Sequence, residues 1–173
     1  SFNVCVGTPP PPPANDECAN AIVAVVNPTL ACTQVTPGTI AWATPSAEGN
    51  TCAGTDDDDV WFEFTATYPI HTINLTNIAG STTDLMHVVY SGNQCGSLTQ
   101  LYCSDPESSI ATNLVPGQTY KIRVYSYTGT AGQTSTFNLC IGTPPPPPAN
   151  DECTAAVTVP VNPDLNCGQV TPG

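Results

Sequence analysis

Basic residues are nearly missing from this chain of 173 residues. Two lysine and arginine side chains stand against 14 aspartates and glutamates, so the formal net charge at pH 7 is −12. Proteins that bind nucleic acids neutralise the backbone phosphates with clusters of lysine and arginine. A chain with only two such residues cannot do this, so nucleic acids are excluded as partners.

Long apolar runs are also missing. No stretch approaches the roughly 20 apolar residues that a membrane-spanning helix needs. We find no signal peptide and no initiating methionine, so we expect a mature secreted segment without a membrane span. Only 9% of the residues are charged, and 19 prolines and 13 glycines interrupt the chain. This composition leaves little room for long helices.

Cysteine, in contrast, is abundant, with nine residues in the chain. None of them forms a C-x-x-C pair, which is the spacing typical of metal and redox sites. Disulfides form and persist in oxidising compartments, and nine cysteines in a chain of this size indicate such a compartment. We therefore expect a secreted protein that is extracellular or lies at the cell surface.

The chain repeats itself at an offset of 135 residues. Residues 136–173 match residues 1–38 at 26 of 38 positions, and both copies contain five prolines followed by Ala, Asn, Asp, Glu and Cys. A match of this quality predicts a tandem repeat. The predicted parts are the last strand of a preceding repeat, a polyproline linker, a complete unit, a second polyproline linker and the start of a following repeat: 1–8, 9–13, 14–143, 144–148 and 149–173.

The repeat divides the cysteines between units. Three of the nine are copies that belong to neighbouring units, and six belong to the complete unit. Six is an even number, which favours three disulfides in each unit, although six cysteines allow fifteen pairings. A short segment containing glycine separates Cys95 from Cys103, and this favours a disulfide between them. The predicted pairs are Cys95 with Cys103, Cys18 with Cys32, and Cys52 with Cys140.

Short apolar runs separated by Gly, Pro, Asn and Ser follow the first linker, a pattern typical of a β-sandwich. One run alternates so that Val60, Phe62 and Phe64 should face the core, and another places Ile122 and Val124 there. We predict an all-β fold, an antiparallel sandwich resembling a jelly roll with eight or nine strands. The runs are 22–26, 34–44, 60–66, 71–77, 85–90, 99–103, 110–114, 119–127 and 136–141.

Five consecutive prolines join successive units. Such a run adopts the polyproline II helix, which rises about 3.1 Å per residue and makes a stiff spacer of roughly 15 Å. A sandwich domain adds on the order of 35 to 45 Å. We therefore expect an axial repeat of about 50 to 60 Å, shorter if the linker lies along a domain.

Several segments, taken together and in order, resemble a known family. They resemble the repeated jelly-roll domains of large surface and secreted proteins from bacteria with a type IX secretion system, related to pre-peptidase and CUB-like sandwiches. The resemblance covers the whole unit. It implies an extracellular stalk, adhesin or filament module and brings no catalytic residues. The segments are PPPPPANDEC at 9–18, DDDDVWFEFTA at 56–66, TDLMHVVYSGNQCGSLTQLYCSD at 83–105, GQTYKIRVYSYTG at 117–129 and FNLC at 137–140.

Four consecutive aspartates directly precede the run at 60–66. Adjacent carboxylates repel one another, and Ca²⁺, which prefers six to eight oxygen ligands, would relieve this repulsion. Two acidic residues on another loop would complete the shell, which makes Ca²⁺ the one candidate cofactor. The alternative is a solvated acidic loop. The candidate ligands are Asp56, Asp57, Asp58, Asp59, Asp105 and Glu107.

The two basic residues lie in one run, and alternation places Lys121, Arg123, Tyr125 and Tyr127 on the same outward face. One interpretation is an interface to an acidic neighbour, such as the Asp56 loop of another unit, or to a glycan. The other is the charged outer face of a sheet. Both interpretations stay open from the sequence.

One standard glycosylation sequon occurs in the chain. Asn74, Leu75 and Thr76 form an N-x-S/T sequence, whereas proline excludes the other match, which begins at Asn27. Asn74 is therefore the candidate glycosylation site.

No arrangement of residues typical of catalysis occurs in the sequence. His71 and His87 lack a Cys, a Glu or a second His at ligand spacing, and no serine has the sequence context of a nucleophile elbow. We expect both histidines to be structural and the protein not to be an enzyme. Trp61 lies in a predicted core strand, with sugar stacking as the alternative.

The sequence therefore predicts a structural repeat of an extracellular bacterial filament, fibre or surface stalk. Near-identical copies, a stiff linker and the lack of a catalytic motif support this together. Its partners would be neighbouring repeats of the same protein. The alternative is a multivalent adhesin or carbohydrate-binding module with glycans as partners.

Overall fold

The computed structural model describes residues 1–172, so Gly173, the last residue of the predicted following repeat, lies outside the described residues. Ten strands and two 3₁₀ helices occur in the described part of the chain. The 3₁₀ helices are Cys18–Asn20 and Cys153–Ala155. The strands are β1 (Ile22–Val23), β2 (Val26–Asn27), β3 (Thr36–Thr39), β4 (Val60–Thr65), β5 (His71–Ala79), β6 (Leu85–Ser91), β7 (Thr99–Ser104), β8 (Ser108–Ala111), β9 (Thr119–Ser126) and β10 (Thr136–Gly142).

The strands form two sheets that pack as a sandwich. The first sheet has the order β1-β4-β9-β6-β7, and the second has the order β2-β10-β5-β8, with β3 also paired to β10. The all-β sandwich is confirmed. Two short pairings, β1 with β4 and β2 with β10, are parallel rather than antiparallel. They arise because one extended segment, residues 22–27, adds two residues to each sheet.

The core lies between the two sheets, as strand alternation predicts. Val60, Phe62 and Phe64 of β4 are fully buried in it, and so are Ile122 and Val124 of β9. The second sheet contributes Ile73, Leu75, Leu139 and Ile141 from β5 and β10. Burial of one such aliphatic or aromatic side chain stabilises a fold by about 1.5–3 kcal/mol, so this layer holds the two sheets together.

The outer face of the first sheet is also covered. Residues 41–59, which we call the cover segment, connect β3 to β4 without helix or strand. Loops of this length are uncommon in compact domains unless they have a function. A second buried cluster lies on this side of the sheet: Cys18, Trp61, Met86, Val88, Tyr90 and Tyr125.

All six cysteines of the complete unit form disulfides, but all three predicted pairings are wrong. Cys95 lies in the turn between β6 and β7, whereas Cys103 is the fifth residue of β7. At about 3.3 Å per residue, Cys103 lies about 13 Å along the strand, beyond the roughly 7 Å that a disulfide spans between Cα atoms. The observed pairs are Cys18 with Cys95, Cys32 with Cys140, and Cys52 with Cys103.

The other two predicted pairs would have joined opposite sides of the sandwich. Cys18 and Cys52 belong to the cluster outside the first sheet. Cys140 lies on β10 of the second sheet, between core residues Leu139 and Ile141, so its side chain points away from the core. A cysteine outside one sheet cannot reach a cysteine outside the other. Cys140 therefore pairs with Cys32, on its own side.

The flanking segments have little regular structure. Residues 1–8, 9–13 and 143–148 contain neither helix nor strand. In the complete unit, the copy of 1–8 is β10, which pairs with β2, β3 and β5 of the same unit. Residues 1–8 have no such strands beside them in this structure, which explains why they form no strand.

Candidate functional site

Arg123 lies at the centre of the covered outer face of the first sheet. It is fully buried on β9, between the faces of two aromatic rings, with its guanidinium carbon 5.4 Å from the Trp61 centroid and 5.8 Å from the Tyr125 centroid. Its Nη1 donates to the backbone carbonyl of Glu48 at 2.7 Å. The aromatic faces attract the positive charge and exclude water from it.

Two aspartates of the cover segment neutralise Arg123. Its Nη1 lies 2.8 Å from Asp56 Oδ2, and its Nε lies 2.9 Å from Asp59 Oδ2. Burial works against the charge, but the hydrogen bond and charge of Asp59 and the charge of Asp56 outweigh it, so the pKa of Arg123 is raised overall. We call Arg123, Asp56, Asp59, Trp61 and Tyr125 the arginine cluster.

Asp59 also holds the backbone of the cover segment. It is fully buried and accepts hydrogen bonds from Ser46 N at 2.9 Å, Ser46 Oγ at 2.5 Å and Trp61 Nε1 at 2.8 Å. Asp16 binds the same segment by accepting from Thr44 N at 2.7 Å and from Thr44 Oγ1 at 2.6 Å. These carboxylates satisfy backbone N–H groups that a coil would otherwise bury without partners.

The prediction that Lys121, Arg123 and Tyr125 form an exposed interface is wrong. Arg123 and Tyr125 are fully buried, and Lys121 is 6% exposed. The Asp56 loop binds Arg123 of its own unit rather than that of a neighbour, because the cover segment folds back over the strand face. Of the four predicted interface residues, only Tyr127 is substantially exposed.

Lys121 makes a simpler ion pair on the same face. Its Nζ lies 2.6 Å from Glu63 Oε2 on β4, directly opposite in the strand register. The Glu63 side chain is 30% exposed. This pair is therefore closer to solvent than the arginine cluster.

The acidic run does not assemble the expected calcium shell. Asp58 accepts from Ser126 N at 2.9 Å and from Ser126 Oγ at 2.7 Å, and burial raises its pKa while these bonds oppose the shift. In the described part of the chain, the one group of three ligand-type residues with atoms within 4.8 Å contains the disulfide cysteines Cys18 and Cys95. Asp105 and Glu107, in the turn between β7 and β8, do not join the aspartate run in such a group. Protein donors occupy the aspartates instead.

Trp61 is fully buried under the cover segment, as the core interpretation predicts. Its ring lies 5.4 Å from that of Tyr90, and its Nε1 donates to Asp59. A buried ring cannot stack on a sugar from solvent. The sugar-stacking alternative for Trp61 is therefore wrong.

The candidate glycosylation residue lies within a sheet rather than in a loop. Asn74 is half-buried on β5, opposite Ser108 of β8, and its Oδ1 accepts from Ser108 Oγ at 2.6 Å. Alternation places it on the outer face of the second sheet, away from the core residues Ile73 and Leu75.

Both histidines are buried. His71 Nε2 accepts from the backbone N–H groups of Thr67 and Tyr68 at 3.1 and 3.2 Å, and its Nδ1 lies 3.2 Å from the Gly142 carbonyl. His87 Nε2 lies 2.7 Å from Ser109 Oγ. Burial lowers the pKa of His71 and lowers that of His87 to about 4. Both side chains are therefore neutral at pH 7.

The buried histidines predict a loss of stability in acid. Below about pH 6.5 the unfolded chain protonates His87, whereas the folded chain does so only near pH 4. Lowering the pH from 7 to 4 should therefore lower the free energy of unfolding, with about 3 kcal/mol due to His87 and a further loss of the same sign from His71. Urea unfolding at several pH values measures this. His87→Gln, which keeps a donor near Ser109, should flatten the curve, and an unchanged slope would show that another group is responsible.

Sequence reasoning missed the role of Arg123 and the residues that surround it. Ser46, Ser126 and Tyr90 belong to no motif, and their contacts arise only when the cover segment folds over the sheet. One signal was available. The chain has two cations and one run of four aspartates, and the charge balance within a single unit favours pairing between them.

Comparisons with known proteins identify the family of the sandwich. In the described part of the chain, no helix has the length and apolar character needed to cross a membrane. None of the curated proteins compared with the chain matches it. Among solved structures, the chain is similar to PliG, a periplasmic inhibitor of g-type lysozyme from Aeromonas hydrophila, with 14% identity, a TM-score of 0.38, and coverage of 70% of this chain and 98% of that one.

The family comparison covers nearly the whole sandwich. A profile described as galactose-binding-domain-like matches residues 14–139. The match includes both 3₁₀ and strand elements of the first linker junction, the cover segment and all six cysteines except Cys140. The chain therefore belongs to the galactose-binding-domain-like family that is associated with the type IX secretion system.

Proposed function

We propose that this chain is a structural repeat of an extracellular bacterial filament or surface stalk, without catalytic activity. The single observation that carries the proposal is the repetition at an offset of 135 residues. The family and the three disulfides support an extracellular or envelope location. A tandem array of identical units at a fixed rise forms a linear or helical fibre by geometry alone.

Local structure recurs at the same offset as the sequence. The 3₁₀ helix Cys153–Ala155 lies 135 residues after the helix Cys18–Asn20. Asn27 donates to Gln34 O at 2.9 Å and accepts from Gln34 N at 3.0 Å, and Asn162 makes the same two bonds with Gln169 at 2.7 Å. These short-range features form in the copy even where the rest of its unit is not present, which supports its assignment to a following repeat.

The cysteines fit the same division of the chain. The six cysteines from Cys18 to Cys140 pair among themselves, so the complete unit closes its own disulfides. In the described residues, Cys5, Cys153 and Cys167 are exposed and unpaired. By the repeat they correspond to Cys140, Cys18 and Cys32, so their partners would lie in neighbouring units.

The junction after β10 is held against its own unit. Thr143 Oγ1 donates to the Asn27 carbonyl at 2.7 Å, and Thr143 N donates to the Thr29 carbonyl at 3.2 Å. Beyond it, prolines of the linker line an apolar cavity of about 380 Å³ together with Leu30 and Ile110. A linker that lies along its domain favours an axial repeat at the short end of the expected 50 to 60 Å.

Electron microscopy of the native material tests the proposal. We expect fibres whose axial rise is close to 50 Å, with one unit per rise. Averaged images resolve this spacing directly. Separate globules without periodicity would contradict the filament and would favour the multivalent binding module.

Calcium remains a prediction, and the same microscopy tests it. Specimens prepared with a divalent-ion chelator are compared with specimens in added Ca²⁺. Fibres that soften or shorten their order in chelator would assign a calcium role to the acidic surface. Identical fibres would show that the aspartates act only through Arg123, Ser46 and Ser126.

A further inference from the structure

A small polar cavity opens on the outer side of the first sheet, beside the arginine cluster. It has a volume of about 120 Å³. Exposed small residues form its rim, whereas Tyr90 is buried and Glu48 is half-buried. The cavity is therefore open to solvent and has polar groups within it. Its lining residues are Ala47, Glu48 and Gly49 of the cover segment, Tyr90 of β6, and Gly96 and Leu98 of the following turn.

Polar atoms at this cavity have no partner in the described residues. The Tyr90 hydroxyl and Glu48 Oε2 are buried without a hydrogen bond, and so is Nη2 of Arg123. Arg123 lies next to the Tyr90 hydroxyl, where its charge opposes the rise that burial causes in the Tyr90 pKa. Leaving a buried polar atom unpaired costs about 1–3 kcal/mol. The chain pairs Asp58 and Asp59 fully nearby, so these open positions point to a ligand.

The chemistry of the three groups selects the ligand. Asp56, Asp59 and Glu48 against Arg123 leave two net negative charges in this region, which disfavours an anion. The guanidinium beside Tyr90 disfavours a metal ion. Glu48 only accepts hydrogen bonds, Arg123 only donates them, and the Tyr90 hydroxyl does both. A neutral ligand with adjacent hydroxyls offers donors and acceptors to all three.

We propose that the cavity binds a vicinal diol of a neutral sugar or polyol. One hydroxyl donates to Glu48 Oε2, and its neighbour accepts from the Tyr90 hydroxyl. A volume of about 120 Å³ equals about four water molecules, which suits one edge of a pyranose ring rather than the whole ring. The site lies in each complete unit and does not rest on the proposed filament.

Titration of the isotope-labelled chain with galactose, glucose, mannose and glycerol, followed by NMR, tests the site. We expect at least one of them to cause saturable shifts confined to residues 47–49, 90 and 96–98. Tyr90→Phe should weaken binding about fivefold, the value of one neutral hydrogen bond. Because the Tyr90 hydroxyl has no partner, the same variant should keep or raise the unfolding free energy. Glu48→Gln should weaken binding more than tenfold, since a charged acceptor is lost.

Two further variants control for indirect effects. Tyr127→Phe removes an exposed hydroxyl elsewhere on the same strand side and should leave affinity unchanged. Gly49→Leu fills the rim where a side chain meets no atom within 4 Å, and it should weaken binding with every polar group intact. No saturable shift up to about 100 mM probe, shifts that map elsewhere, or wild-type affinity in Tyr90→Phe would each overturn the proposal and leave the cavity to ordered water.

Discussion

Replacing Cys32 and Cys140 together by alanine is expected to lower the free energy of unfolding by about 4.7 kcal/mol. This disulfide closes a loop of 108 residues, the longest of the three in the unit. Its removal enlarges the unfolded ensemble, and the entropy released grows with the logarithm of loop length. Urea unfolding of oxidised protein at pH 7 measures the change.

The matched control is the double alanine variant of Cys52 and Cys103. That disulfide closes 51 residues, so the same relation predicts a loss of about 4.1 kcal/mol. The Cys18–Cys95 disulfide spans 77 residues and should fall between them. A reversed order would show that local packing of the cover segment, rather than loop length, determines what each disulfide contributes.

Arg123→Met is expected to cost about 3–5 kcal/mol of unfolding free energy. Methionine fills much of the space between Trp61 and Tyr125, so the loss arises from Asp59, which is fully buried and would keep its charge without a cation. Cover-segment contacts through Ser46 should weaken with it. Chemical denaturation with fluorescence of the buried Trp61 reports both effects.

Lys121→Met provides the control on the same strand and the same face. Its partner Glu63 is 30% exposed at the side chain and can recover water, so we expect a loss of about 1 kcal/mol or less. Adding Asp59→Asn to Arg123→Met should recover part of the stability, because it removes the stranded charge. Equal losses in Arg123→Met and Lys121→Met would contradict the buried-charge explanation.

Strand positions could be predicted from the sequence because period-two alternation reports directly on one buried face. Val60, Phe62 and Phe64 all lie where alternation places them. The same alternation correctly assigned Arg123 and Tyr125 to the opposite face. It could not show that this face is covered, since the cover segment has no periodicity and reaches the sheet through isolated contacts such as Asp59 with Ser46.

Disulfide pairing failed for a related reason. Sequence distance suggested Cys95 with Cys103, but which side of which sheet a cysteine occupies decides its partner. That side depends on the crossing of residues 22–27 between the sheets and on the path of residues 41–59. The unpaired atoms of Glu48 and Tyr90 were equally hidden, because they adjoin one another only after Cys18 and Cys95 tie the turn after β6 to the first 3₁₀ helix.

The Cys32–Cys140 disulfide gives the unit a mechanical property. Under tension between the two linkers, force enters before β2 and leaves after β10, and these strands are parallel, so their hydrogen bonds are loaded in shear rather than opened one at a time. If they break, the disulfide carries the load across the sandwich. The 108 residues between its cysteines, about 370 Å when extended, cannot be drawn out. An array of such units would be nearly inextensible while its disulfides are oxidised and would lengthen severalfold once they are reduced.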